Sequence, residues 1–166
     1  GTVSTSPSAS TDIANKAYVD SVASTGLTYH AAVQAATTQS LAAQTGGTVT
    51  YNNGVAGVGA TITLSVALTT LDDYSLSNTN RILVKNESNS AYNGVYTLSQ
   101  AGNGGSPCIL IRATDFDSTG SGVDQIDQGD FFLITSGTAN ANTSWVQQTP
   151  LPITIGTTGI VFSQFG

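Results

Sequence analysis

From Val49 to the C terminus, short apolar runs of four to six residues recur about every ten residues, separated by Gly, Asn, Ser and Pro. No run is long enough to bury one side of a helix, whereas each suits a strand. The clearest is at residues 61–66, where Ile62, Leu64 and Val66 alternate with Thr61, Thr63 and Ser65 and give one apolar and one polar face. Arg81–Lys85, Val95–Leu98, "CILIR", "DFFLIT", "SWVQQ", "ITIG" and "GIVFSQF" follow. Such a chain builds a core by stacking strands, which predicts a mainly β fold. The expected form is an antiparallel β-sandwich or barrel-like head.

One segment departs from this pattern. Residues 1–11 are small and polar and read as a linker. In "TDIANKAYVDSVAS", Thr11 or Asp12 can cap a helix in which Ile13, Ala14, Ala17, Tyr18 and Val22 form a broad apolar stripe. About three turns are marginal alone, so the stripe needs a partner, either its own sheet or copies from other chains. The expected division is 1–28, linker and short helix, and 29–166, β-rich head. Residues 31–45 allow helix through Ala and Gln, while a Thr pair weakens it.

Charged residues make up only 8% of the chain, and its net charge is -6 with four basic residues, Lys16, Arg81, Lys85 and Arg112. No basic stripe can be built to neutralise phosphates, which excludes nucleic acid as a partner and argues against an anionic membrane surface. No apolar run reaches the length of a membrane-spanning helix. The lack of Met points to a processed or excised fragment.

Catalytic chemistry is poorly supplied. His30 and Cys108 are the only imidazole and thiol. His30 reads as a surface or junction residue after Gly26, and Cys108 as a small buried hydrophobe. Asp115, Asp117, Asp124, Asp127 and Asp130, with the separate pair Asp72–Asp73, read as turn carboxylates, with Arg112 the expected partner of Asp115 or Asp117. "DFDSTGSGVDQI" mimics a calcium loop at its first positions but ends in Ile126, where a Glu is needed. An irregular cation site at Asp115, Asp117 and Asp124 or Asp127 is the weaker alternative. "GVAGVG" lacks the Lys and the helix of a phosphate loop and reads as a hairpin tip. No cofactor is expected.

Two hairpins share a layout fifty residues apart. Ile82-Leu83-Val84 matches Phe132-Leu133-Ile134, and Val95-Tyr96 matches Trp145-Val146. Their polar loops are the candidate binding surface, since sugar recognition combines an aromatic face with amides and hydroxyls. One group is Trp145 with Asn140, Asn142 and Gln147; the other is Tyr92 with Asn89 and Asn93. The alternative for Trp145 is a core anchor.

"ANKAYVDS" resembles a short helix that recurs in bacteriophage tail fibres. "TYNNGVAGVGATITL", "NRILVKNESNSAYNGVYTL", "IRATDFD", "QGDFFLITSGTANANTSWV" and "PITIGTTGIVFSQF" together resemble a module of phage tail-fibre and tail-appendage proteins, from about Tyr29 to Phe165. The resemblance implies a β-rich structural protein of the virion, a parallel homotrimer, placed distally on the tail beside other fibre or baseplate proteins. It also implies attachment to a host-surface glycan or protein, and it brings no catalytic residues. In such a trimer Ala14, Ala17 and Tyr18 would face the threefold axis. The alternatives are an architectural joint or decoration module without ligand, and a glycan hydrolase.

Overall fold

The computed structural model describes residues 26–166. The expected helix with Ile13, Ala14, Ala17, Tyr18 and Val22 lies outside the described residues. The chain runs β1 (Thr28–Tyr29), β2 (Ala35–Ala36), α1 (Leu41–Thr45), β3 (Val49–Asn52), β4 (Thr61–Leu64), β5 (Thr70–Leu71) and β6 (Tyr74–Ser75). It continues with β7 (Arg81–Val84), a 3-10 turn (Ser90–Tyr92), β8 (Gly94–Gln100), β9 (Cys108–Arg112), β10 (Asp130–Leu133), β11 (Ser144–Gln147) and β12 (Phe162–Phe165).

The fold is mainly β. Six strands form one sheet in the order β2-β7-β8-β9-β4-β3, four form a second in the order β1-β10-β11-β12, and β5 pairs with β6. Neither larger sheet closes into a barrel. Most neighbours are antiparallel, as the short spacings predict, but the sheets are mixed: β1 lies parallel to β10, and β2 parallel to β7. Both parallel pairs come from one extended segment that lines the outer edge of each long hairpin. "ITIG" is not a strand. Thr157 and Thr158 donate to the carbonyl of Thr154, turning the chain there, while Ile153 and Ile155 still enter the core.

The residues between 31 and 45 divide. Ala35 and Ala36 are extended, and Leu41 opens a single helical turn that Ser40 caps by accepting from the Ala43 N–H. Gly46 ends it at φ 75°, a left-handed cap. Across β5–β6, Asp72 and Asp73 stand at φ 49° and 63°, the two left-handed residues of a tight hairpin turn.

One apolar cluster takes Ala36, Leu83 and Val95 from the six-stranded sheet and Val33, Phe132, Ile134 and Phe162 from the four-stranded side, joined by Phe116, Ile126 and Ile160. A second cluster, on the opposite face of the larger sheet, holds Ile62, Leu64, Ile82, Val84, Tyr96 and Leu110, with Leu41 of α1 and Leu71 of β5 over them. Burial on both faces explains why "ILV" in β7 is continuously apolar rather than alternating. The hairpin match is one of layout only. Ile82 faces Tyr96, but Phe132 faces Trp145, one residue off the register that an exact fifty-residue repeat would give. Among the described residues, no helix is long and apolar enough to cross a membrane.

Arg112 does not pair with Asp115 or Asp117. It is 2% exposed, and its guanidinium donates to the carbonyls of Asn93 (3.1 Å) and Ala91 (3.1 Å) and to the Tyr51 hydroxyl (3.2 Å). It also lies over the ring of Tyr96, 5.1 Å from the centroid. Gly94 makes room for it: a Cβ there would stand 2.2 Å from Arg112 Nη1. Gly94→Ala is therefore expected to cost about 2 kcal/mol or more, because a buried cation holding three internal hydrogen bonds must move. Urea denaturation measures this, and an unchanged midpoint would remove the argument.

Candidate functional site

Residues 28–37 tie the two sheets together. Thr28 and His30 donate backbone N–H groups to the carbonyls of Gly129 and Phe131, and Val33 to that of Leu133, all in the four-stranded half. Gln34 and Thr37 then donate to the carbonyls of Arg81 and Leu83 in the six-stranded half. His30 sits at this crossing. Its side chain is fully buried, correcting the expectation of a surface or junction residue.

Both ring nitrogens of His30 meet carboxylates. Nδ1 hydrogen-bonds Asp115 Oδ2 at 2.9 Å, and Nε2 lies 3.0 Å from Asp130 Oδ1, an ion-pair contact without the in-line geometry of a hydrogen bond. Arg81 grips Asp115 with two parallel donors, Nη1 to Oδ1 at 2.9 Å and Nη2 to Oδ2 at 3.0 Å, and its Nε and Nη2 also donate to the carbonyls of Ala32 and Ala31. Two cations thus face two carboxylates. Burial alone would depress the His30 imidazolium, but Asp115 and Asp130 outweigh it and raise its pKa to about 9. Burial alone would raise Asp115; His30 and Arg81 reverse this and hold it well below the usual carboxylate range. Asp130, fully buried, is pushed upward by burial despite His30. With both nitrogens against carboxylates and Arg81 held in place, the group has no nucleophile to activate and reads as a structural lock.

The first loop, residues 85–93, is built rather than loose. Asn93 is 4% exposed; its Oδ1 accepts from the Glu87 N–H and its Nδ2 donates to the Ile160 carbonyl. Glu87 Oε2 accepts the Leu41 N–H at 2.8 Å, and burial raises its pKa. Asn89, exposed, caps the 3-10 turn by accepting from the Ala91 N–H. Tyr92 stacks on Tyr51, with ring centroids 4.4 Å apart and planes 11° from parallel. A groove of about 370 Å³ opens between this loop and the α1–β3 turn, lined by Ser40, Thr48, Glu87, Ser88, Asn89 and Tyr92 among others.

The second loop, residues 134–143, is clamped by the β5–β6 turn. The Asp72 carboxylate accepts the N–H groups of Ala139 and Asn140, and Asp73 accepts the Thr138 hydroxyl. Asn140, 5% exposed, donates to the Ala36 carbonyl, and Asn142 is exposed at φ 62°. Gln147 is fully buried, donating to the carbonyls of Asp127 and Thr149 and accepting the Thr149 N–H. Trp145 is half-buried against the inter-sheet cluster; its indole N–H donates to Thr143, and Lys85 Nζ lies 4.2 Å from its ring centroid. Of the seven residues read as binding groups, Asn93, Asn140 and Gln147 are thus buried and internally bonded. Trp145 has Lys85 over its ring. Tyr92, Asn89 and Asn142 keep free surface.

The carboxylates read as a weak cation site are not gathered. Asp115 is committed to Arg81 and His30, Asp124 is exposed, and among the described residues no group of three His, Cys, Asp or Glu side chains could hold a metal. Cys108 is buried in the second apolar cluster, and burial pushes its thiol to about 11. No family model, no curated protein and no solved structure matches this chain.

His30 is the only histidine, so its titration can be followed directly. Its pKa is raised on folding, so the stability it contributes is complete below about pH 6.5 and is lost as pH rises through about 9. The unfolding free energy is expected to fall by about 2–3 kcal/mol between pH 6.5 and pH 10, less in His30→Asn. The ring proton resonances should titrate near 9; a midpoint near 6.5 would contradict the buried ion pair.

Proposed function

We propose that this chain is a non-enzymatic module of a phage tail fibre, displayed on the virion, which binds a host-surface glycan in the groove beside Tyr92. The carrying observation is that groove: one aromatic side chain, backed by Tyr51, beside hydroxyls, an amide and a carboxylate. Sugar rings stack on an aromatic face while their hydroxyls bond to such groups. Tyr51 and the loop's internal bonds fix Tyr92 in advance, which lowers the ordering cost of binding. Trp145 and Tyr92 both pack partly on core clusters, and Trp145 suits the role less because Lys85 lies over its ring. The two layered sheets are proposed to form a sandwich-like head, and the low charge fits a surface that meets neutral sugars.

Among the described residues, Glu87 is the only carboxylate lining the groove, and it is engaged by the Leu41 N–H. Hydrolysis with a carboxylate pair requires a second carboxylate across the bond to be cut. The site therefore supports binding rather than cleavage. A second reading, an architectural joint without ligand, draws on the internal bonding of Asn93, Asn140 and Gln147.

The test is a glycan array followed by calorimetry on the best ligand. Tyr92→Ala is expected to weaken binding at least tenfold, about 1.4 kcal/mol, whereas Asn142→Ala should leave it unchanged. Equal affinity in the Tyr92→Ala protein would dismiss the groove. An array without binders would favour the joint, and reducing ends released from a host polysaccharide would restore the hydrolase.

A further inference from the structure

Three segments far apart in sequence enclose a cavity of about 440 Å³ beyond the end of β3. They are the β3–β4 turn with Asn53 and Ala56, the loop after β9 with Ser118 and Thr119, and the turn at residues 153–155. The volume lies in the range of small-molecule sites. The cavity shares no lining residue with the groove beside Tyr92.

The segments are closely fitted. A Cβ on Gly57 would stand 2.7 Å from Ile155 Cδ1 and 2.8 Å from the Asp117 carbonyl oxygen, and one on Gly156 2.5 Å from Asn53 Oδ1. Asn53 donates to the Ile155 carbonyl at 2.9 Å and accepts from the Tyr51 hydroxyl at 2.7 Å. Its amide therefore builds the wall. Ala56 stands at φ 51°, in the left-handed region where glycine fits better, and the same turn has glycines at 54, 57 and 59. A methyl group kept at such a position points to use rather than to folding.

The lining has two chemistries. Ile153 and Ile155, 7% and 6% exposed, are rooted in the inter-sheet cluster and with Ala56 form an apolar part. Ser118, Thr119 and Thr154 add hydroxyls. Their carbonyls are engaged, by the Ile126 N–H, by the Gln125 side chain, and by the N–H groups of Thr157 and Thr158. Their hydroxyls hold no hydrogen bond among the described residues, so they keep their capacity for a ligand. No charged and no aromatic side chain lines the cavity. An anion finds no cation there, and a metal ion no carboxylate.

We propose that this cavity binds a neutral sugar residue carrying a methyl group, with the methyl against Ile153, Ile155 and Ala56 and the ring hydroxyls on Ser118, Thr119 and Thr154. The choice of a sugar rests on the glycan-binding reading above. An unmodified hexose would bury its C6 hydroxyl against the isoleucines without a partner, which is costly. A methyl group in that place gains from leaving water. It can be the C6 methyl of a 6-deoxyhexose or the acetyl methyl of an N-acetylhexosamine.

The test follows the Ile153 and Ile155 methyl resonances of the full chain by NMR as monosaccharides are added. L-fucose is compared with L-galactose, which differs from it only by the C6 hydroxyl, and N-acetylglucosamine with glucose. At least one methyl-bearing sugar is expected to shift both resonances, with a Kd of about 1–10 mM and about fivefold or more tighter than its parent. The pair that discriminates identifies the source of the methyl. No response, or an equal response to both members of each pair, would overturn the proposal. Thr119→Val, which removes a hydroxyl at nearly constant shape, should weaken binding severalfold. Ala56→Gly should do the same while leaving the thermal midpoint unchanged or higher, an opposition that a purely structural role would not produce. Unchanged affinity in either variant would overturn the assignment. Tyr92→Ala leaves these shifts in place, so loss of binding in the groove and loss of binding in the cavity are read separately.

Discussion

A histidine held between two aspartates, one of them also held by an arginine, is the point on which the two sheets depend. His30, Asp115, Asp130 and Arg81 come from four distant stretches: the start of the chain's first crossing, the loop after β9, the first residue of β10 and the first residue of β7. Each burial would be costly alone, since an unpaired charge in a core costs several kcal/mol. Together the charges cancel and most of their hydrogen-bonding capacity is met. The arrangement specifies as well as stabilises. If the 28–37 segment slipped by one residue, His30 would point to the opposite side of its strand and the fully buried Asp130 would lose the imidazolium beside it, while Arg81 and Asp115 would keep each other. One short segment can therefore fix the edge of β10 and the edge of β7 at once, although β1 and β2 are each two residues long.

The same principle recurs at the loops. A buried cation, Arg112, is bonded by two loop carbonyls and a tyrosine hydroxyl, and a buried amide, Asn93, bridges Glu87 to Ile160. Asp72 does for the second loop what Asn93 does for the first, holding consecutive N–H groups of Ala139 and Asn140. In a chain with so few charges, each charged side chain is engaged inside the fold wherever the loops need shaping. Buried amides do the same: Asn93, Asn140 and Gln147 donate to backbone carbonyls within the fold. Internal hydrogen bonds of charged groups and amides together shape the polar loops.

The residues showed the strands better than they showed their wiring. β4 was legible because Ile62 and Leu64 face the core and Thr61 and Thr63 do not, so its pattern reports its environment directly. β1 and β2 were not legible, because two residues carry no period, and their parallel pairing is set by partners about 100 and 50 positions away, respectively. His30 was misread for the same reason. Its two carboxylates are remote in sequence, and nothing near Gly26 indicates burial. The loop amides misled differently: Asn93, Asn140 and Gln147 have the residue types of a sugar site, yet a buried backbone group draws on the same donors and acceptors. Of the other loop residues, Asn89 is exposed at the cap of the 3-10 turn, while Tyr92 is partly buried against Tyr51 and the second cluster.

That distinction bears on where binding can occur on such a scaffold. A side chain whose hydrogen bonds are all internal has no further contact to give a ligand, so the groove beside Tyr92 depends on groups with capacity to spare. Ser40 and Asn89 meet this condition in part. The Ser40 oxygen accepts from the Ala43 N–H and the Asn89 oxygen from the Ala91 N–H, which leaves the Ser40 hydroxyl proton and the Asn89 NH₂ free to donate. Glu87 retains one carboxylate oxygen beyond the one bonded to Leu41, as an acceptor. With the hydroxyls of Thr48 and Ser88, the groove therefore offers several donors and one carboxylate acceptor beside the Tyr92 ring. For the proposed sugar ligand, that set would suit a neutral sugar better than an anionic one, because Glu87 and the net charge of the chain both repel anions.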